Sequence, residues 1–543
     1  MDKTDNRRKF LKTGITAAAA GLVVGSANSI VHAQDGEQID LTAPEMQHQD
    51  HSHHNMSNMQ NDTSNVQNEY DGFSRFKPTR GDDPDSDWYC GKLVPGFRPA
   101  TAAPVEITAP DLEKLPWKMV NGAKEFRIQA QAVAREFLPG YMMNVYGYNG
   151  TCPGPLMEIN QGDRIRVIVT NELKEATNFH MHGFEMPVQY DGAAEMTQNP
   201  IKPGKSFTYE FDVHEHGTFF YHSHVGMQEA MGMVGPIVVH PRKQFDPPVD
   251  RDFVLLFQNF FIKPNQTISD SWKMDWNWHT INGRSGPFTT PCVVKHGERV
   301  RVRLINFSPM QHHPIHMHGH TFWVTGFEGA RAPKSTWVPR NTELVAVAQA
   351  SEFEFVANNP GDWQFHCHMI HHMMNHMTPH FGPRIRDNSN VDQYLSNLDS
   401  IPTVEVTPIA RGEKAPGYPQ KMLSMNMDME TMMRVWQPRE MQGMRATAAM
   451  SMHGLMTSMR VLPADLFDRV INSDEKIERG SIFAEIVKRF GNPSDYKKAP
   501  KMAMGGMDMG GMEMNNESMQ KSNGNMNMNM NYNMPMGHDK MQK

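Results

Sequence analysis

Residues 366–377 read His-Cys-His-Met-Ile-His-His-Met-Met-Asn-His-Met, so a thiol, several imidazoles and several thioethers fall within twelve consecutive positions. Successive side chains of a β-strand alternate between its two faces, so His366 and His368 are expected to point one way and Cys367 the other. One strand can therefore supply ligands to two metal sites. A thiolate with two imidazoles and a weak axial thioether favours copper in an electron-transfer geometry.

The site that contains the thiolate needs two imidazoles. We assign Cys367, His372 and Met377 to it from this run, and His313 from an earlier His-rich segment. His371 and His372 are adjacent, and the spacing from Cys367 favours His372. The spare donors nearby are His371, His376 and His380. An axial Met377 predicts a moderate reduction potential, which suits easily oxidised donors.

Four pairs of the form His-x-His supply the other candidate ligands. Their imidazoles are those of His180, His182, His222, His224, His316, His318, His366 and His368. Eight neutral imidazoles suit three copper ions better than one. A single pair is common in proteins that bind no metal, where the rings belong to the core. Four pairs, one of which flanks Cys367, are hard to explain by packing alone.

These motifs resemble those of multicopper oxidases, and the resemblance extends over roughly residues 115–390. It implies copper as the cofactor, with one type 1, one type 2 and two type 3 ions, or about four per chain. It also implies ligand roles: His313, Cys367, His372 and Met377 for type 1 copper, His180 and His316 for type 2 copper, and His182, His222, His224, His318, His366 and His368 for the type 3 pair.

Asp191 begins a stretch that also resembles this family, Asp191–Gly204. It matches the carboxylate that relatives place beside the copper cluster to relay protons. The alternative is that Asp191 and the following glycine only form a turn. The first half has Ser223 where a second type 1 site needs a cysteine, so only the second half is expected to hold type 1 copper.

The fold is predicted to be all-β, with two cupredoxin-like β-sandwich domains. A sequence pattern that occurs twice supports two related domains. Asn149-Gly precedes Gly162-Asp-Arg in the first half, and Asn282-Gly precedes Gly297-Glu-Arg in the second. Short strands with Gly and Pro turns favour β-sandwiches. The predicted boundaries are 1–33 for a signal peptide, 34–99 for a His/Met-rich arm and lead-in, 100–245 and 246–390 for the two domains, 391–500 for a Met-rich and helical extension, and 501–543 for a Met-rich tail.

The amino terminus reads as a twin-arginine export signal, with Arg7 and Arg8 before an apolar stretch. A membrane anchor is the alternative, but the stretch is short and interrupted by Gly, Ser and Asn. We therefore predict a periplasmic protein. At most one disulfide can form among the cysteines outside the copper run, which are Cys90, Cys152 and Cys292.

Methionine is unusually frequent, with 46 in 543 residues. Twelve lie in residues 422–459 and thirteen in residues 502–541. Thioethers are soft ligands that suit Cu(I), but a Met-lined face packed on a sandwich explains the first cluster equally well. Residues 463–471 and 482–490 read as short amphipathic helices, whereas the terminal Met/His-rich segments are predicted to be disordered.

With only two sandwiches, the chain resembles two-domain multicopper oxidases, in which the cluster lies between domain one of one subunit and domain two of its neighbour. The resemblance implies a homotrimer with trinuclear clusters at the subunit interfaces. The net charge of −7 is spread along the chain, so no nucleic-acid or membrane partner is expected.

The predicted function is oxidation of a reductant, preferably Cu(I), coupled to four-electron reduction of dioxygen to water. A laccase-like oxidase of phenols or other small reductants is the first alternative. A copper-sequestering protein is the second, in which the sandwiches are a scaffold and the Met-rich segments collect the metal.

Overall fold

The structure is a computed structural model and describes residues 105–242, 244–263, 266–375, 429–445 and 447–491. Several predicted features lie outside these ranges: the signal peptide at 1–33, the arm at 34–99, the tail at 501–543, and the side chains of His376, Met377 and His380.

The first sandwich has nine of the described strands, arranged in two sheets. One sheet has the strand order β2 (Trp117–Val120), β3 (Ala123–Leu138), β6 (Arg164–Asn171) and β8 (Ser206–Asp212), with β4 (Tyr141–Tyr148) beside β3. The other sheet has the strand order β5 (Met157–Asn160), β10 (Val234–His240), β9 (Gly217–His222) and β7 (His180–His182). In β6, Ile165, Val167 and Val169 are buried and alternate with more exposed residues, as expected for a strand with one face on a core. These three side chains pack with residues of the second sheet in one hydrophobic core.

The second sandwich has thirteen of the described strands. One sheet has the strand order β1 (Ile107–Thr108), β11 (Arg251–Phe260), β14 (Arg299–Asn306), β20 (Gln349–Val356), β16 (Phe322–Phe327) and β17 (Ala330–Arg331). In this sheet β12 (Trp278–Ile281) lies beside β11, and β18 (Val338–Arg340) lies beside β16. The other sheet has the strand order β13 (Cys292–Lys295), β22 (Met456–Leu462), β21 (Gly361–Cys367), β15 (His313–Met317) and β19 (Thr342–Val345). Both sheets contribute to one core. The chain is therefore built of two β-sandwiches, as predicted.

The predicted end of the second domain at residue 390 is wrong. Strand β22 comes from the predicted extension at 391–500, and it pairs in parallel with β13 and antiparallel with β21. It thus lies between β13 and β21 in the sheet that carries Cys367. The reason is that Met459 and Val461 alternate toward the core of the second sandwich, which a sheet without β22 would leave open. Strand β1, within the predicted first domain, likewise pairs with β11 of the second sandwich.

The described helices are few and short. They are α1 (Gly226–Ala230), α2 (Met429–Val435), α3 (Ala448–Ser451), α4 (Ala464–Ile471) and α5 (Ser481–Phe490), with single 3-10 turns at Val188–Tyr190, Ser271–Lys273, Lys334–Thr336, Ile370–Met373 and Arg439–Met441. The two predicted amphipathic helices are present as α4 and α5, whose apolar faces pack on Val293 and Leu462 of the second sandwich. No helix in the described ranges is long and apolar enough to cross a membrane.

Part of the first methionine cluster is core. Met441, Met444, Met452 and Met456 are buried in one hydrophobic cluster with Trp436. For these described methionines, packing explains the high frequency without a metal. The cysteines within the described ranges, Cys152, Cys292 and Cys367, are all buried free thiols, so no disulfide joins them.

A buried ion network joins the two sandwiches. Arg303 of β14 donates to both carboxylate oxygens of Asp252 at 2.8 Å, and its other guanidinium nitrogen donates to Glu352 at 2.7 Å and to Thr218 of β9 at 2.8 Å. Arg303, Asp252 and Glu352 have side chains at most 4% exposed. Burial acts to raise the pKa of Glu352, but Arg303 and Arg301 outweigh it and lower this pKa.

Replacing Arg303 with methionine is expected to lower the free energy of unfolding by about 3–5 kcal/mol, because Asp252 and Glu352 stay buried and keep only their longer contacts to Arg301, at 3.3 and 4.0 Å. Denaturant unfolding at neutral pH measures this loss. Arg164 is the control, since it also contacts two carboxylates, those of Glu210 and Asp212, but its side chain is 47% exposed. Arg164→Met should cost only about 0–1 kcal/mol. Similar losses in both variants would contradict a special role for the buried network.

Candidate metal centre

Two neighbouring strands, β15 and β21, carry four of the predicted ligands of the second sandwich, His313, His316, His366 and Cys367. Their antiparallel register places Ile315 opposite Cys367 and His316 opposite His366. Opposed residues of a sheet share a face, so Cys367 lies on one face and the two histidines on the other. His313 is two residues from Ile315 and therefore shares the face of Cys367. The alternation expected from the sequence thus separates two groups of donors.

The thiol group of donors consists of His313, Cys367 and His372, whose nearest ligand atoms all lie within 4.8 Å of one another. His372 Nδ1 is 3.3 Å from Cys367 Sγ and 3.1 Å from His313 Nδ1. All three residues are fully buried. The fourth predicted member, Met377, lies outside the described residues.

His372, rather than His371, faces the thiol. The Nε2 atom of His371 lies 3.2 Å from Gln311 Nε2, and the ring of His371 is only partly buried. The structure therefore distinguishes two adjacent histidines that the sequence separates only by spacing.

Hydrogen bonding determines which nitrogen of His313 is available. The Ser308 hydroxyl and His313 Nε2 share a hydrogen bond of 2.6 Å, so Nδ1, which lies 3.1 Å from His372 Nδ1, is the nitrogen that remains for a metal. Ser308 was not recognised from the sequence, because it lies in the loop before β15 and no local pattern marks it.

Burial keeps these imidazoles neutral. Desolvation lowers the pKa of His313 to about 3, and it also lowers the pKa of His372, with further contributions from His279 and His313. Neutral imidazoles can bind a metal without releasing a proton. Burial raises the pKa of the Cys367 thiol to about 12, so a metal ion must displace its proton in order to bind.

The first sandwich carries a second group of histidines, His180, His182, His222 and His224, on β7, β9 and the residues after β9. The register of these strands places His180 opposite His222. Ring centres in the group are 5.2–5.9 Å apart. Desolvation, followed by the neighbouring histidines, lowers the pKa of His182 to about 4.

Backbone carbonyls orient the rings of this first-sandwich group. His180 Nδ1 donates to the Asp191 carbonyl at 2.6 Å, and His222 Nδ1 donates to the Ser223 carbonyl at 2.7 Å. The other nitrogen of His222, Nε2, is buried and has no hydrogen-bond partner. An orphaned lone pair among three converging imidazoles fits a metal ligand.

The second sandwich carries a third group, His316, His318, His366 and His368, with ring centres 4.8–5.7 Å apart. The Nε2 atoms of His318 and His366 are 3.1 Å apart. His316 and His366 use Nδ1 to donate to the carbonyls of Asn341 and Cys367, which leaves Nε2 for a ligand. In both groups, Nδ1 of two histidines donates to a backbone carbonyl, and Nε2 of those histidines is left for a ligand.

The two groups of four histidines do not meet within this chain. No ring contact among the described residues joins a histidine of the first-sandwich group to one of the second-sandwich group. Each group also has an exposed member, His224 in the first and His368 in the second. Each sandwich therefore presents half of the predicted eight-imidazole set, open on one side.

Asp191 lies beside the first-sandwich group. Its carboxylate Oδ1 is 3.6 Å from His180 Nδ1, and its side chain is 40% exposed. Gly192 has a φ of +89°, and a Cβ there would come within 2.1 Å of the Phe179 carbonyl oxygen. The Asp-Gly turn thus holds the carboxylate between solvent and a histidine. Glu229 of α1, which the sequence did not single out, is similarly placed 3.6 Å from His222.

Two family models, both described as multicopper oxidase, match the chain over residues 129–244 and residues 262–384. Each of the two matched segments is a multicopper oxidase domain. The first match contains the histidine group of the first sandwich, and the second contains the thiol group and the second-sandwich histidines. The family implies copper as the cofactor, which agrees with the buried sulfur and nitrogen donors.

Relatives within the multicopper oxidase family differ in their described roles. A copper resistance protein A homolog of Pseudomonas syringae pv. tomato is 26% identical over 39% of this chain and 44% of that protein. Laccase-1 of Fomitopsis schrenkii is 32% identical over 41% of this chain and 44% of that protein. The chain thus spans less than half the length of these two relatives. A solved blue copper oxidase of Nitrosomonas europaea is 26% identical with a TM-score of 0.42, covering 53% of this chain and 99% of that chain.

Proposed function

We propose that this protein is a copper oxidase that takes electrons one at a time from a reductant and reduces dioxygen to water. The observation that carries the proposal is the buried donor set of His313, Cys367 and His372, which continues directly along the chain into His366 and His368. When bound, the copper ions supply one-electron transfer and the four-electron reduction of dioxygen.

In this proposal the described residues have the roles that the resemblance implies for them. His313, Cys367 and His372 hold the type 1 ion; the type 2 and type 3 ions are held by His180, His182, His222, His224, His316, His318, His366 and His368. The backbone on either side of Cys367 gives the shortest covalent path between the two kinds of site. The Asp191 carboxylate lies within reach of His180 and of solvent, and in this proposal it relays protons for water formation.

The trinuclear cluster forms between subunits in this proposal. It is supported by the two histidine groups, which are separate within one chain and each incomplete. Four imidazoles from one subunit and four from its neighbour give the expected eight, and a cyclic arrangement of three subunits repeats this interface three times. Copper bound across the interface then stabilises the homotrimer.

Cu(I) is the proposed reductant, and the periplasm is the proposed location. Support comes from the relative that is named a copper resistance protein, from the thirteen methionines of residues 502–541, and from the twin-arginine pattern at the amino terminus. The Met-rich tail collects Cu(I) and raises its concentration near the thiol group of donors. The second candidate is a laccase-like oxidase of phenols, which the relative named laccase-1 favours.

Oxygen uptake by copper-loaded protein, measured with Cu(I) and with a phenol, distinguishes these functions. Deleting residues 500–543 is expected to lower Cu(I) oxidation at limiting Cu(I) by about tenfold, because the local supply is lost, and to leave phenol oxidation nearly unchanged. A full-length variant with the thirteen tail methionines replaced by leucine is the control for chain length and should behave like the deletion. Equal losses with both substrates would remove the basis for preferring Cu(I).

A further inference from the structure

A polar cavity of about 490 Å³ lies where the two sandwiches meet, and none of its described lining residues is a copper ligand. Both turns of the sequence pattern that occurs twice are close to it. Asn149 and Gly150 line the cavity, and the carbonyls of Asn282 and Gly283 accept hydrogen bonds from Arg135, which also lines it. The proposed copper chemistry gives this cavity no role.

Arg135 of β3 has no carboxylate among its hydrogen-bond partners in the described residues. Its Nε donates to the Gly283 carbonyl and its Nη1 to Thr151 Oγ1, both at 3.3 Å. Its Nη2 donates to the carbonyls of Asp111 and Asn282, at 3.2 and 2.9 Å. A guanidinium has five N–H groups, so one N–H of Nη1 remains without an acceptor. This partly buried side chain therefore has a positive charge that only neutral groups contact.

Arg284 brings a second guanidinium to the same cavity. Its Nη1 forms an ion pair with Asp111 Oδ1 at 2.7 Å, and its guanidinium lies over the Phe288 ring, 4.1 Å from the ring centre. Its Nε is buried and has no hydrogen-bond partner. Burial lowers the pKa of Arg135, and Arg284 lowers this pKa more than Asp111 raises it. The repulsion between the two guanidiniums thus exceeds the attraction that Asp111 exerts on Arg135.

The carboxylates that line the cavity are neutralised or exposed. Asp111 has its ion pair and also accepts hydrogen bonds from the Thr290 amide at 3.1 Å and the Thr290 hydroxyl at 2.7 Å. Glu136 forms a two-point ion pair with Arg434 of α2, at 2.7 and 2.8 Å. Glu113 is exposed, so water and salt screen its charge. An anion that enters the cavity therefore meets N–H groups that lack an acceptor.

We propose that this cavity binds a small oxyanion, a phosphate or a carboxylate, on the guanidinium groups of Arg135 and Arg284. A guanidinium presents its N–H groups in a planar fork that matches the oxygen atoms of both kinds of anion. The cavity also has room for a small organic molecule that carries such a group. The inference goes beyond the proposed oxidase and does not depend on it, because the copper ligands lie elsewhere.

Isothermal titration calorimetry of the copper-loaded full chain tests the site, with inorganic phosphate or acetate as the probe at constant ionic strength. Arg284→Gln is expected to weaken binding by at least about tenfold, because a charge-assisted hydrogen bond is lost. Arg135→Gln should have a similar effect, and Arg284→Gln keeps the test available if the loss of four hydrogen bonds prevents Arg135→Gln from folding. Arg164→Gln is the matched control and should bind like the unaltered protein, since Arg164 pairs with Glu210 and Asp212 outside the cavity.

Saturable binding that Arg284→Gln weakens and Arg164→Gln does not supports the site, and the tighter of the two probes identifies the kind of oxyanion. No saturable binding of either probe overturns the inference, as does binding that Arg284→Gln leaves unchanged. The copper-free protein is expected to bind the probe with the same affinity. Binding that requires copper and changes the visible spectrum would place the anion at the metal ions, which also overturns the inference.

Discussion

Replacing Cys367 with serine is expected to abolish the intense visible absorption of the copper-loaded protein and to reduce oxygen uptake to the background rate. Serine keeps the shape of the side chain but supplies no thiolate, so the donor set of His313 and His372 loses its strong sulfur ligand. The copper content should fall from about four to about three ions per chain, since the histidine groups remain intact. Absorption spectra, metal analysis and an oxygen electrode measure the three effects.

Cys292→Ser is the matched control for this substitution. Cys292 is also a fully buried free thiol in the core of the second sandwich, but it lies on β13, away from the histidine groups. This variant should keep its colour and its oxygen uptake. If Cys367→Ser retains full oxygen uptake, electrons do not enter through this site. If the unaltered protein binds copper but consumes no oxygen with any reductant, it is a copper-sequestering protein.

The second large effect concerns assembly. We expect His182→Ala and His318→Ala each to be inactive, and we expect a mixed oligomer of the two to regain activity. In a ring of three, a complete cluster forms wherever an intact first sandwich meets an intact second sandwich of its neighbour. Every mixed trimer isolated by both tags has one complete cluster of three, so its activity should be about a third of the full value. Co-expression with two affinity tags, sequential purification and oxygen uptake measure this recovery.

The control for this experiment combines two variants of the same histidine group. His182→Ala mixed with His224→Ala has no intact first sandwich and should stay inactive. A cluster built within one chain predicts no recovery in either mixture. Absence of recovery with His182→Ala and His318→Ala, in oligomers shown to contain both chains, would therefore contradict the interface assignment.

Much of the site follows from sequence because strand periodicity is simple. The alternation of His366, Cys367 and His368 fixes two faces, and the pairing of β15 with β21 then brings His313 and His316 to the matching sides. The two-sandwich architecture is predictable for the same reason, since short alternating strands bounded by turns have few other solutions.

Other features depend on contacts between distant parts of the chain. Ser308, which orients His313, lies in a loop whose path no local pattern specifies. The boundary at residue 390 is wrong because Met456–Leu462 looks like one more piece of a Met-rich region, and only its partners in the sheet identify it as a central strand. The hydrogen bond from the Cys367 amide to the Leu455 carbonyl could not be predicted for the same reason.

The late position of β22 has a consequence for biosynthesis. Until residues 456–462 leave the ribosome, β13 and β21 lack the strand that lies between them, and each has an open edge. The second sandwich is therefore completed by a contact between parts of the chain that are far apart in sequence. Folding of the sheet that carries Cys367 is therefore complete only after residues 456–462 have been synthesised. The proposed twin-arginine export, a route that carries folded proteins, therefore requires β22 to join the sheet before translocation begins.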